Sequence, residues 1–340
     1  MKSLNNLSRL PETNNGTEYT VINIAEQIWT FLPPIIMFVG TVGNVTTVIV
    51  YIQPSMRTSA FAIYAIALAI SDTTALYSGL LFDWLVLAFD INVIFVSSTG
   101  CKVIIWLVYT SVCYSAWIIT AITIERVFVV WFPLWSRRRN DKMFSRILIC
   151  CLVVICMALN SHFLFGMVLD TEQSMFHRNC GAANQSYWIF FQRVWPWIST
   201  NLFCFIPSSL IIVGNMMIVL KVSQCKQNDS CETVRKDHLS SRKRHANIQD
   251  HRAVLVLPIL LTLNIMFLIT TLPINLYLLI LNYSDVLITD EYSERKAQNY
   301  LCWTILNMLL FSNNAVNCIL YCLSGSNFRR ELLALCCGKS

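Results

Sequence analysis

Charge is what this sequence has least of. Of its 340 residues, 13% are Asp, Glu, Lys or Arg, against about 25% in a typical soluble domain. So few charges could not cover a water-facing surface of this size. The chain also lacks low-complexity tracts and obvious internal repeats. Its net charge of +6 gathers into no basic stripe, because the Lys and Arg residues lie between apolar blocks, and this excludes a nucleic-acid partner. Catalytic constellations are missing as well. His162, His177, His238, His245 and His251 have no zinc spacing, and neither a Ser-His-Asp set nor a Gly-rich phosphate loop is present, so no enzyme is read here. Met1–Glu26 has no apolar run, hence no signal peptide, and the first apolar block is expected to act as its own insertion signal.

What the chain does have is apolar length. Hydrophobic residues make up 56% and the mean hydropathy is +0.56. They fall into seven blocks at about Gln27–Ile52, Ala60–Leu81, Val103–Trp131, Ile147–Leu169, Trp195–Leu220, Ala253–Leu281 and Ala297–Leu323. Each has the roughly 20 residues that a bilayer-spanning helix needs. The expected fold is an all-α seven-transmembrane helix bundle. Residues 1–26 form an outer segment, 27–323 the membrane domain, and 324–340 an amphipathic helix with a short tail. Placing the N-terminus outside puts 18 of the 25 Lys and Arg residues on the inner side, as the positive-inside rule requires. The sequons at Asn6, Asn15, Asn184 and Asn282 then face outward as glycosylation sites, while those at Asn44 and Asn228 do not.

A charge at the bilayer centre costs at least about 2.5–3.5 kcal/mol and persists mainly for function. The motifs around such residues are therefore informative. They are Gly43-Asn44-Val45, Leu68-Ala69-Ile70-Ser71-Asp72, Glu125-Arg126-Val127, Pro207, Pro273 and Asn317-Cys318-Ile319-Leu320-Tyr321. In this order and on these blocks they resemble the rhodopsin-like (class A) G-protein-coupled receptors, from about Gln27 to Cys337. The stretch from Ala116 to Arg126, followed by Trp131-Phe132-Pro133-Leu134, is similar to invertebrate neuropeptide receptors of the FMRFamide and thyrotropin-releasing-hormone type.

The resemblance implies roles for individual residues. Cys101 lies 25 residues before Arg126, the family's spacing for a disulfide to the second outer loop, here to Cys180. Arg126, with Glu125, Val127, Pro133, Asn317 and Tyr321, would form the switch that meets a heterotrimeric G protein. At rest its guanidinium can pair with Glu125; a basic residue merely reaching the membrane edge is the alternative. Asp72 would be ringed by Ser115, Asn313 and Asn317, oxygen donors that suit a sodium ion as an allosteric ligand. A protonated, hydrogen-bonded carboxyl is the other reading. Pro207, Phe267, Thr271 and Pro273 would transmit the signal. No other cofactor is implied.

Several positions depart from the family pattern. Thr271 stands for the usual Trp, Cys318 for the span-seven Pro, Asn215 for a Tyr, and Ala116 for an Ile, and the position near Ala253 carries no acid. These changes leave open unusual basal activity or impaired function. Val108 where amine receptors have Asp, and Phe311 where opsins have Lys, argue against those ligands. By helical position the candidate pocket comprises Asp83, Trp84, Trp106, Tyr109, Cys113, Gln192, Trp195, Tyr277 and Asn307, although aromatics near an interface also serve as a lipid belt. Eleven outer acids face seven outer bases, so a short cationic peptide ligand is expected, with Asp83 as its contact. Phe328, Leu332 and Leu335 share one helical face before Cys336 and Cys337, which are expected to carry palmitate; unmodified thiols are the alternative. The loop serines and threonine Ser230, Thr233, Ser240 and Ser241 would dock an arrestin-like regulator after phosphorylation. Two competing readings are a seven-span transporter or channel, which calls for inverted repeats or broken spans in matching halves, and a receptor-like scaffold without its own ligand.

Overall fold

A computed structural model of the chain describes residues 16–89, 91, 97–132, 141–169, 180–232, 261–281 and 293–337. Within these residues seven helices are long and apolar enough to cross a membrane. They are span one (Tyr19–Tyr51), two (Ala60–Phe89), three (Ser98–Trp131), four (Lys142–Gly166), five (Gln185–Lys221), six (Leu261–Leu281) and seven (Ala297–Leu323). They pack as a seven-transmembrane bundle. Asn6, Asn15, Asn282, Pro133 and the loop sites Thr233, Ser240 and Ser241 lie outside the described residues.

The helices run further than the apolar blocks. Span one belongs to a helix that begins at Gly16, inside the segment 1–26 assigned to an outer tail. Span two continues to Phe89, and span five starts at Gln185. Polar residues outside the hydrocarbon region can stay helical, because the helix satisfies its own backbone wherever it lies. Polar caps set three of the starts. Ser59 Oγ accepts from the Phe61 amide, Ser97 Oγ from that of Gly100 at 3.0 Å, and Asn184 Oδ1 from that of Tyr187 at 2.8 Å. Each satisfies an orphan amide of a first turn.

Span five is interrupted twice by wide π turns, at Phe190–Val194 and Asn201–Phe205. Each ends two residues before a proline, Pro196 and Pro207. Proline has no N–H to donate and its ring crowds the carbonyl four residues back, so the preceding turn opens. Span two has a similar turn, Leu76–Leu81, without a proline. It contains Gly79, where an added Cβ would lie 2.6 Å from Phe311 Cζ. A side chain there would have to displace the Phe311 ring of span seven.

One core cluster follows spans two, three and five, with Leu68, Ile118, Ile122 and Ile211 at its centre. A smaller one joins spans one, two and seven through Trp29, Leu76, Leu80 and Phe311. There Trp29 Nε1 donates to Thr304 Oγ1 at 3.1 Å. After span four the chain forms β1 (Met167–Leu169), antiparallel to β2 (Cys180–Ala182), with Leu169 opposite Cys180. A Cys101–Cys180 disulfide, with Cα atoms 5.9 Å apart, fastens this hairpin to the start of span three. After span seven a terminal helix, Ser326–Cys336, packs its buried Phe328 on Tyr51 and Tyr321. Arg329 Nη1 donates to the carbonyls of Cys322 and Leu323 at 2.9 and 2.8 Å, closing the open end of span seven.

Candidate functional site

Among the described residues, Asp72 is a polar hub of the interior. It is fully buried on span two, and three donors from two other spans meet its carboxylate. Ser115 Oγ donates to Oδ1 at 2.8 Å, Asn314 Nδ2 to Oδ1 at 2.8 Å and Asn317 Nδ2 to Oδ2 at 2.6 Å. Ser71 Oγ lies 3.0 Å from Ser115 Oγ and donates to the Ser111 carbonyl. On the far side Asn44 Nδ2 donates to the Asn314 carbonyl at 3.2 Å, so spans one, two, three and seven share one network. The expected Asn313 is buried but is not among the donors; its neighbour Asn314 takes that place. Consecutive helical residues point about 100° apart. In an unbroken helix, Ser293–Ser324, Asn314 and Asn317 share the face that Asp72 meets.

The second site lies at the far end of span three. Glu125 is 5% exposed, and its Oε2 accepts from Ser145 Oγ on span four at 3.3 Å. Among the described residues Glu125 and Arg126 form no ion pair, contrary to the expected resting contact. Adjacent residues on a helix do not face each other. Arg126 turns instead toward span two, its guanidinium carbon 5.9 Å from the centroid of Phe61, within range of a cation–π contact. Its Nε is buried without a hydrogen-bond partner. Tyr321, from span seven, stacks edge-on against the same Phe61 ring, and its hydroxyl is likewise buried and unpartnered. Arg126, Phe61 and Tyr321 are thus held together by rings, with polar atoms unused.

The transmission residues lie on spans five and six. Pro207, Phe267 and Thr271 are buried, and Phe267 and Ala116 belong to one core cluster. Thr271 Oγ1 lacks a hydrogen-bond partner. A polar contact that sequence reasoning missed joins spans three and six, where Asn264 Nδ2 donates to Thr123 Oγ1 at 3.5 Å. Span five reaches the same place through Gly214, where an added Cβ would come within 2.8 Å of Thr123 Cγ2.

At the disulfide end, the expected pocket residues separate. Tyr109 and Trp195 meet, with ring centroids 6.2 Å apart. Trp106 turns to span four, its Nε1 donating to the Met157 carbonyl at 3.1 Å. Trp84 turns to span one, donating to the Thr30 carbonyl at 3.0 Å, beside half-buried Asp83. Tyr277 Oη donates to the Asn299 carbonyl at 3.0 Å, and Asn307 bonds within its own helix to Trp303. Gln192 is half-buried in a π turn, and Cys113 is buried in the core. Around Tyr109 and Trp195 gather His162, Phe163, Tyr187 and Phe203, none of them among the pocket residues expected from the sequence. His162 Nδ1 lies 2.8 Å from Tyr187 Oη, and the His162 ring is 4.1 Å from those of Phe163 and Trp195. The aromatic density of 162–165 and 187–191 was the available signal.

Comparison with known proteins agrees with this architecture. The family model described as 7 transmembrane receptor (rhodopsin family) matches residues 43–321. A Caenorhabditis elegans protein, F59B2.13, assigned by name to the G-protein coupled receptors, is 25% identical over 90% of this chain and 72% of its own length. The human C-C chemokine receptor type 1 is 22% identical over 89% of this chain and 79% of its own. The RYamide receptor of Drosophila melanogaster is 25% identical over 89% of this chain and 61% of its own. With seven membrane spans, a disulfide from span three to the hairpin, and a family match over most of its length, the chain belongs to the seven-transmembrane receptors of the rhodopsin family.

Proposed function

We propose that this chain is a plasma-membrane receptor, N-terminus outside, that binds a short cationic peptide and activates a heterotrimeric G protein through Arg126. The observation that carries the reading is the state of Arg126. Its guanidinium rests on the Phe61 ring, unpaired with Glu125, and its Nε has no hydrogen-bond partner. A charge held this way is available to a partner that offers carbonyls or carboxylates once the bundle opens. A peptide ligand fits the aromatic surround of Tyr109 and Trp195 and the acidic excess of the outer loops. Two relatives are named for RYamide and for C-C chemokines. Sodium is proposed for the Asp72 site. Asp72 and Ser115 offer oxygens there, and rotating the amides of Asn314 and Asn317 would turn two more toward an ion.

Second-messenger assays in transfected cells, run against a library of short amidated peptides, test this reading. Arg126→Ala is expected to abolish the response, with surface expression and ligand binding retained; nucleotide exchange at the wild-type level would refute the assignment. Asp83→Asn should reduce the potency of a cationic agonist, and the loss should shrink at higher salt. An uncharged or acidic agonist would remove the electrostatic argument.

A further inference from the structure

Spans one and two do not close against each other on the outer side of the bundle. Between them runs a groove of about 350 Å³. Val45 and Ile70 on its rim are 52% and 60% exposed, so in a membrane the groove opens to acyl chains. Apolar lips are ordinary in such a place; the floor is not. Asn44, Thr73 and Thr74 line it, and Thr41 and Tyr77 continue the polar line, their oxygens 3.0 Å apart. Each threonine has already spent its hydrogen on its own helix: Thr41 on the Met37 carbonyl at 2.7 Å, Thr73 on Ala69 at 2.8 Å and Thr74 on Ile70 at 2.9 Å. The Asn44 amide nitrogen serves Thr73 Oγ1 and the Asn314 carbonyl, and Asn44 Oδ1 has no hydrogen-bond partner. What remains is a row of acceptor lone pairs, and a hydroxyl has two of these for each hydrogen.

Depth narrows the occupant. Asn44 and Thr41 lie 7 and 10 residues from the end of their helix at Tyr51, and Thr74 lies 14 from the start of its helix at Ala60. At 1.5 Å per residue, the acceptors sit roughly 10–20 Å from the turn that joins the two helices. That is the middle of a hydrocarbon core about 30 Å thick. Phospholipids keep their polar groups at the interface and offer no donor here. We propose that the groove binds a hydroxylated acyl chain, whose single mid-chain O–H donates to Thr74 Oγ1, with Tyr77 Oη the next acceptor along the row, while the chain lies between the two helices. In hydrocarbon such a donor has no water to return to, which favours the protein contact. The site is also wired inward, since Asn44 bonds to the Asn314 carbonyl and Asn314 to Asp72.

The test uses the full-length protein in phosphatidylcholine nanodiscs, labelled with a photoactivatable fatty acid and competed with three 18-carbon acids: 12-hydroxy, 12-oxo and unsubstituted. The hydroxy acid should compete about five- to tenfold better than the other two, with label mapping to 44–49 and 69–74. Thr74→Val with Tyr77→Phe keeps the shapes and removes the hydroxyls; it should erase the preference, with only the small drop in melting temperature that loss of the Tyr77–Thr41 contact brings. Val45→Trp should block labelling. Equal competition by the three acids, label spread elsewhere, or a preference that survives Thr74→Val with Tyr77→Phe would overturn the proposal. So would better competition by a side-chain-hydroxylated sterol, which would assign the groove to another lipid.

Discussion

Spans five and seven solve the same problem in opposite ways. Span five carries Pro196 and Pro207, opens into a π turn ahead of each, and meets spans three and four at the disulfide end through the rings of Tyr109 and His162 on Trp195. Span seven has Cys318 where the family has proline and belongs to an unbroken helix from Ser293 to Ser324. It is held by hydrogen bonds at Thr304, Asn314 and Asn317. Bends place side chains by changing the helix phase, and a straight helix places them by keeping it. Directional contacts such as those on Asp72 need a fixed phase, whereas ring packing tolerates a shifted one.

The sharpest way to break this contrast is Cys318→Pro. A proline there removes the bond to the Asn314 carbonyl and crowds it, at a cost of about 3 kcal/mol. Asn314 and Asn317 should lose their common aim at Asp72, seen as a fall in melting temperature in detergent. Asp72→Ala comes next. It leaves Ser115, Asn314 and Asn317 without their acceptor, at about 1–3 kcal/mol if one group stays unsatisfied, and the loss should not add to that of Cys318→Pro. A double-mutant cycle that came out additive would show that the straight helix does not set the network. The smallest effect is expected of Pro207→Ala. Restoring an N–H should regularise Asn201–Phe205 with a stability change below about 1 kcal/mol. Hydrogen exchange would report it as slower exchange at those amides, and unchanged exchange would separate the π turn from the proline.

The seven spans were legible because a bilayer enforces apolar length, and the disulfide because the family spacing around Cys101 is fixed. The ends of spans two and five were not, since a helix leaving hydrocarbon needs no apolar signal to continue. Partners were harder still. Asp72 stood out as a buried charge, but the choice between Asn313 and Asn314 rests on a 100° difference in helix phase. Glu125 and Arg126 are neighbours in the chain, and that adjacency sends one side chain to Ser145 and the other to Phe61. The box around His162 joins residues far apart in sequence, so no local pattern could assemble it.

Arg329 gives the terminal helix a mechanical meaning. Its guanidinium grips the last carbonyls of span seven while Phe328 is wedged between Tyr51 and Tyr321. The two helices are therefore joined as a bell crank, with the corner at Gly325 and Ser326–Cys336 as the short arm. A twist of span seven about its own axis becomes a sideways sweep of the arm that ends in Cys336 and Cys337, and drag on those cysteines is returned to span seven as torque.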